Sequence, residues 1–278
     1  MNLAISNIAW PVAQDAAIAD LLNERGIAGI EVAPTKIWPL PLEVTDREID
    51  AYRATWEARG IRIVSAQALL FGRPELKLFE SAEVRRRTLD YLRGIIRLCS
   101  RFGAGALVFG SPANRAVGST DREAAWRIAV DFFGTLGECA AEHGTAVVIE
   151  SLPAQYASDF IMRAEEAIAL VRAVDHPGFR LHLDAASMAA AGDDPQATLD
   201  AGATLLRHFH ISEPNLAPIL ADSSHHRQLA EELERVGYPH WCAIETRESN
   251  PFTLAGIASS LDRAIACYGR RSRPDGAR

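Results

Sequence analysis

Short apolar runs alternate with longer amphipathic stretches along nearly the whole chain, and this rhythm restricts the fold more than any other feature. The runs predict strands at Leu3–Trp10, Ala28–Ala33, Ile61–Leu69, Ala106–Phe109, Thr145–Ser151, Phe179–Ala185, Leu206–Ser212 and Trp241–Thr246. Between them lie helix signals. Thr45 with Glu48, and Thr120 with Glu123, have capping-box spacing. Thr88, Leu92, Ile95, Cys99 and Phe102 recur at helical intervals, as do Trp126, Val130, Phe133 and Ala140. Gly26, Gly60, Gly103, Gly144 and Gly237 fall just before strands, where a helix C-terminus needs a residue tolerant of positive φ. Eight successive βα units predict a parallel (β/α)8 TIM barrel.

An open doubly wound sheet is the competing architecture, and it needs a glycine-rich phosphate loop after the first strand. The nearest match, Gly103-Ala-Gly105, lacks a third glycine and precedes a strand. No linker divides the 278 residues, so one domain is expected over 1–269 with a frayed basic tail over 270–278. A net charge of −7 argues against a phosphate-backbone footprint and hence against nucleic acid. The N-terminus MNLAISNIAW has neither a signal-peptide pattern nor a bilayer-spanning stretch, so no membrane role and a cytoplasmic location are expected. Cys99, Cys139, Cys242 and Cys267 form no CxxC pair and read as reduced, inert thiols.

Four polar residues close or follow successive apolar runs. Glu150 ends TAVVIE, Asp184 ends FRLHLD, His210 follows LLRHF, and Glu245 ends WCAIE. In a barrel these positions gather at the carboxyl ends of strands, where active sites lie. Buried charges need partners, and a single divalent cation satisfies all four. Three oxygen donors and one imidazole suit Mn2+, with Mg2+, Co2+ or Zn2+ also admitted. Side chains two apart share a strand face, so His182 and His208 fall beneath the ligands as groups that orient them.

The segments SNIAW, GIEVAP, VIES, LHLD, HFHISEP and AIET resemble the xylose-isomerase-like barrels, the sugar phosphate isomerases and epimerases, from Asn2 to about Tyr268. The resemblance implies that Glu150, Asp184, His210 and Glu245 bind one ion, and that Glu150 and Glu245 flank the substrate carbon and exchange its proton. Three positions depart from the epimerase pattern: Ser187 stands for a histidine, Tyr156 for a glutamate and Leu216 for an arginine. A retained metal centre with an altered substrate shell is the consequence. The missing histidine also separates the chain from the histidine-rich, three-zinc DNA-repair members.

Further candidates to hold a carbohydrate-like substrate lie in the loops after the strands. Lys36, in APTKIWP, either grips a substrate oxygen or is solvated. Glu31 takes either an internal ion pair or a substrate contact. Asn114 and Arg115, in GSPANR, are placed on the rim, with the guanidinium fork of Arg115 suited to an anion. Glu213 is either a substrate acceptor or a loop-fixing carboxylate. Trp10 is either an apolar wall for a sugar ring or part of the core. His226, beside His225, is expected near the metal site by resemblance. The expected activity is metal-dependent isomerisation or epimerisation of a hydroxycarbonyl compound. A lyase resembling inosose dehydratase and a non-catalytic metabolite-binding barrel are the alternatives, and a homo-oligomer accords with the resemblance.

Overall fold

The strands are β1 (Asn2–Ser6), β2 (Gly29–Val32), β3 (Arg62–Ala66), β4 (Leu107–Phe109), β5 (Val147–Glu150), β6 (Phe179–Asp184), β7 (Leu206–Ser212) and β8 (Trp241–Glu245). All pair in parallel and in chain order, and β1 closes the barrel against β8. This computed structural model describes residues 1–220 and 223–269; the tail expected over 270–278 lies outside them. The helices are α1 (Asp15–Glu24), α2 (Pro34–Ile37), α3 (Asp46–Glu57), α4 (Ala82–Phe102), α5 (Arg122–Glu142), α6 (Ala164–Val174), α7 (Ala185–Ala191), α8 (Pro195–Gly202), α9 (Ser224–Arg235) and α10 (Leu254–Tyr268). Helices thus separate every consecutive pair of strands, as the alternation predicts.

Local chemistry explains most boundaries. Thr45 and Glu48 form the expected reciprocal capping box at α3. The box expected at Thr120 and Glu123 is corrected: Asp121 caps α5, its carboxylate accepting from Ala124 N at 3.0 Å. Thr120 instead closes a turn through its N–H to Val117 O. The first strand is shorter than Leu3–Trp10, because the chain turns at Asn7, whose side chain accepts from Ala33 N at 2.8 Å. The third is likewise shorter than Ile61–Leu69, ending at Ala66 ahead of Ala68, whose φ is +55°.

Helix-facing strand residues such as Ile5, Ile30, Leu107, Ile149, Leu181 and Ile244 join one apolar layer beneath the helices. Inside the barrel, Ala4, Val64 and Ala243, then Ala106, Val108 and Val148, make small apolar clusters. Above them the interior turns polar, with Ser6, Glu31, Ser65, Gln67, His182, His208 and His210 all buried. Two register shifts build this layer. One skips Val64 in β3 and sets Ser65 beside Glu31; the other skips Arg207 in β7 and sets His208 beside His182 and His210 beside Asp184.

Candidate metal centre and its cavity

Strand register brings the four candidate ligands to the carboxyl ends of neighbouring strands. Asp184 pairs with His210, Glu150 with His182, and Ser212 with Glu245. His210 Nδ1 lies 3.3 Å from Glu245 Oε2 and 3.9 Å from Asp184 Oδ2. Glu150, His182, Asp184 and His210 each bring a ligand atom within 4.8 Å of the others. The imidazole of His182, expected only as support, therefore stands in the cluster itself.

Beneath the cluster, Glu31 anchors both histidines. His210 Nε2 lies 3.0 and 3.1 Å from its two oxygens, and His208 Nε2 lies 2.8 Å from Oε2. Ser65 Oγ donates to Oε2 at 2.8 Å, and Gln67 Nε2 donates to Oε1 at 2.9 Å. Of the two readings of Glu31, the internal ion pair is the one the structure holds. Burial opposes its ionisation, but His210 and His208 outweigh burial and hold the carboxyl well below the ordinary range. With Nε2 committed to Glu31, Nδ1 of His210 is the atom left to face the carboxylates.

The upper groups are held as firmly. Asp184 Oδ1 accepts from Ser187 N at 2.7 Å, capping α7, and Oδ2 accepts from Ser212 Oγ at 2.5 Å. The main-chain oxygen of Glu150 accepts from Arg115 Nη1 at 2.7 Å. A Cβ on Gly110 would overlap Glu150 Oε2, so only glycine leaves that carboxylate its place.

These residues fit a divalent cation. Burial, and then the charges of Asp184 and Glu245, push the Glu150 carboxyl well above its ordinary range; burial and Glu245 raise Asp184 too. Burial opposes charge on His210, but Glu31 and Glu245 prevail and raise it well above ordinary. Both ring nitrogens of His182 are buried without a hydrogen-bond partner among the described residues, and His210 Nδ1, 3.3 Å from Glu245 Oε2, makes no well-aligned hydrogen bond. Crowded carboxylates that repel one another beside unpartnered imidazole nitrogens are the donor set a cation relieves.

A cavity of about 290 Å3 opens over the cluster. Glu150, Asp184 and Glu245 line it together with Tyr156, Ser187 and Leu216. The three positions that depart from the epimerase pattern thus all face the same space. Glu213 also lines it, while its Oε1 accepts from Leu220 N at 3.1 Å and meets His226 Nε2 at 3.2 Å. His226 Nδ1 in turn lies 2.8 Å from Tyr268 Oη, and His225 Nε2 lies 2.9 Å from Ala185 O. The loop-fixing reading of Glu213 accounts for those bonds.

Four other candidates stand outside the cavity lining, each engaged elsewhere. Trp10 is wholly buried, donates from Nε1 to Asp15 at 2.7 Å and faces Trp56, so it belongs to the core and forms no sugar wall. Asn114 donates to Arg73 O and Leu76 O, clamping the chain after β3. Arg115, expected on the rim, is buried behind Glu150, and its guanidinium supports that residue's main chain. Lys36 pairs with Glu248 at 2.9 Å, linking the loops after β2 and β8. Sequence reasoning overlooked Gly110. Its place directly after the fourth apolar run, against the strand that ends in Glu150, is the signal that would have found it.

Comparison with known proteins agrees with this architecture. The family model described as xylose isomerase-like TIM barrel matches residues 19–266. A D-psicose 3-epimerase of Clostridium cellulolyticum H10, solved with D-tagatose, superposes with a TM-score of 0.81 at 17% identity, covering 96% of this chain and 99% of that one. A 3-keto-D-glucoside 4-epimerase of E. coli gives 0.80 at 19% identity, with 96% and 100% covered. The probable 3-DHS dehydratase of Bacillus anthracis gives 0.69 at 17% identity, with 96% and 98% covered. No curated protein matches the sequence at a significant level.

Proposed function

The chain belongs to the xylose isomerase-like TIM barrel family, and on that premise we propose that it is a divalent-metal-dependent isomerase or epimerase of a sugar-like hydroxycarbonyl compound, acting in the cytoplasm. The observation that carries this reading is the gathering of ligand atoms from Glu150, Asp184 and His210 within 4.8 Å of one another, with Glu245 3.3 Å from the one nitrogen of His210 that Glu31 leaves open. A single ion, Mn2+ or else Mg2+, Co2+ or Zn2+, held by Glu150, Asp184, His210 and Glu245, supplies polarisation of a carbonyl and its neighbouring hydroxyl, which acidifies the C–H between them.

The residues divide the remaining work. Glu31 fixes the plane and tautomer of His210, with His208 on the same carboxylate. Ser212 and the Ser187 N–H hold Asp184 in one orientation. Glu245 and Glu150 take up and return the proton: return to the same carbon from the opposite face gives epimerisation, and return to the neighbouring carbon gives isomerisation. Tyr156, Ser187 and Leu216 present the substrate with an aromatic ring, a small hydroxyl and an aliphatic chain. That lining favours a substrate other than the free ketoses.

A lyase on the same frame is the second reading, favoured by those altered wall residues. It shares the proton abstraction and then expels a β-hydroxyl. Incubating the protein with Mn2+ in D2O against keto-sugars, inososes and sugar phosphates tests both. Deuterium gained with no loss of water is the expected result, and loss of water identifies the lyase. Neither change with any compound counts against catalysis and leaves a metabolite-binding barrel. The described residues include no helix long and apolar enough to cross a membrane.

A further inference from the structure

At the opposite, amino-terminal mouth of the barrel lies a second cavity, of about 200 Å3, lined by Arg62, Gly103, Gly105, Arg207, His240 and Trp241 among others. Its polar side chains are basic. The bulge that sets the β7 register also turns Arg207 into this mouth, and its guanidinium is held there by two bonds. Nε donates to Gly105 O at 3.2 Å, and Nη1 donates to His240 Nδ1 at 2.9 Å. Arginine has no acceptor, so His240 Nδ1 carries the lone pair and Nε2 the proton. A Cβ built on Gly105 would stand 3.2 Å from Arg207 Nη2, so the glycine leaves that nitrogen its room. Gly103 and Gly105, the pair that fails as a dinucleotide loop, border this cavity instead. The Arg62 guanidinium lies 5.4 Å from the Trp241 ring centre, steadied by the indole face.

No carboxylate among the described residues pairs with Arg62, Arg180 or Arg207 within 4.0 Å, whereas Arg25, Arg101, Arg163 and Arg235 each have such a partner. Arg180 stands close by, its Nη2 donating to Thr204 O. Burial first, then Arg207 and Arg180, hold His240 below the ordinary imidazole range, which marks the locale as positive. Arg62, Arg207 and His240 line one cavity whose lining holds no acidic residue, and the space suits one tetrahedral oxyanion with a short substituent.

The geometry points to a phosphate-binding site at the amino-terminal mouth, formed by Arg62, Arg207 and His240 and taking free phosphate or the phosphate of a small monoester. The site lies across the barrel interior from Glu150 and Glu245 and does not rest on the activity proposed above. Its inner wall is His208, the residue that shares Glu31 with His210.

Isothermal titration of the protein as purified, with inorganic phosphate in one arm and glycerol phosphate in the other, tests this assignment. Saturable binding of one phosphate per chain, with a Kd of about 1 mM or tighter, is expected. Arg207→Gln should weaken it about tenfold or more, since one charge-assisted contact is lost. Arg62→Gln should weaken it as well, and because Arg62 is exposed this variant remains a fair test if Arg207→Gln fails to fold. Equal binding in both arms identifies a monoester headgroup, whereas binding of inorganic phosphate alone identifies the free ion. Absence of saturable binding, or affinity unchanged in both variants, overturns the assignment.

Discussion

His210 Nε2 lies 3.0 Å from Glu31 Oε1, joining two residues 179 positions apart in the chain. That bond fixes which nitrogen of the imidazole faces upward, and so determines the chemistry available at the top of the barrel. Without it, the ring would be free to present either nitrogen to Asp184 and Glu245.

Replacing Glu31 by Gln removes the charge that both His208 and His210 share. Loss of one partner from a buried ion pair costs about 3–5 kcal/mol. Metal affinity should fall about 10- to 100-fold, as it does when a ligand's orienting partner is lost. Chemical denaturation and calorimetric metal titration check the two effects separately. A variant with unchanged stability and unchanged affinity would remove Glu31 from this scheme.

Metal affinity should rise with pH. Glu150 and Asp184 are raised above their ordinary values of 4.5 and 3.8, by burial first and then by neighbouring carboxylates. His210 is raised above 6.5, because Glu31 and Glu245 outweigh its burial. In the metal-free protein each holds a proton at pH values where a free side chain has released it. Ion entry must displace those protons, so binding weakens as pH falls through the raised values and strengthens as pH climbs. Burial shifts His182 and His208 the other way, below the ordinary imidazole range. Titrations at pH 5.5, 6.5 and 7.5 with proton-release measurement check this; a flat profile contradicts it.

Gly110→Ala forces a methyl group into the position of Glu150 Oε2. The glutamate must turn away, and displacement of a reacting group by about 1 Å costs roughly a hundredfold in rate. Turnover of whichever substrate shows exchange should drop by that order, while the far-ultraviolet circular dichroism stays that of the parent. Full activity would mean that Glu150 does not act from this position.

Glu245→Gln keeps the shape of the residue but removes its capacity to take a proton. Solvent-proton exchange should fall by about 10² to 10⁴ even at metal concentrations that saturate the variant. Undiminished exchange would assign the proton transfer to another group.

The barrel could be read from sequence because its determinants are local. Short apolar runs, helical spacing and glycines before strands all act along one stretch of chain, and Gly26, Gly60, Gly103, Gly144 and Gly237 all take positive φ. The strand-end carboxylates were visible for the same reason, as charges terminating apolar runs. Glu31 was not resolved between two readings, because its partners depend on shear and on bulges that skip Val64 and Arg207. Arg115 misled for a related reason: a basic residue in a Gly/Pro-shaped loop reads as exposed, yet the fold buries it against the Glu150 main chain. Asp121 displaced Thr120 as a cap because a carboxylate one residue later reaches the free N–H of Ala124.

On the proposed function, Glu150, Asp184, His210 and Glu245 together hold one divalent ion. Calorimetric titration of the chelator-stripped protein and of Asp184→Asn with Mn2+ tests it most directly. The parent should bind one ion per chain at about micromolar Kd, and the variant with affinity lower by at least about tenfold. No binding by the parent up to about 1 mM, or equal affinity in the two proteins, would contradict it.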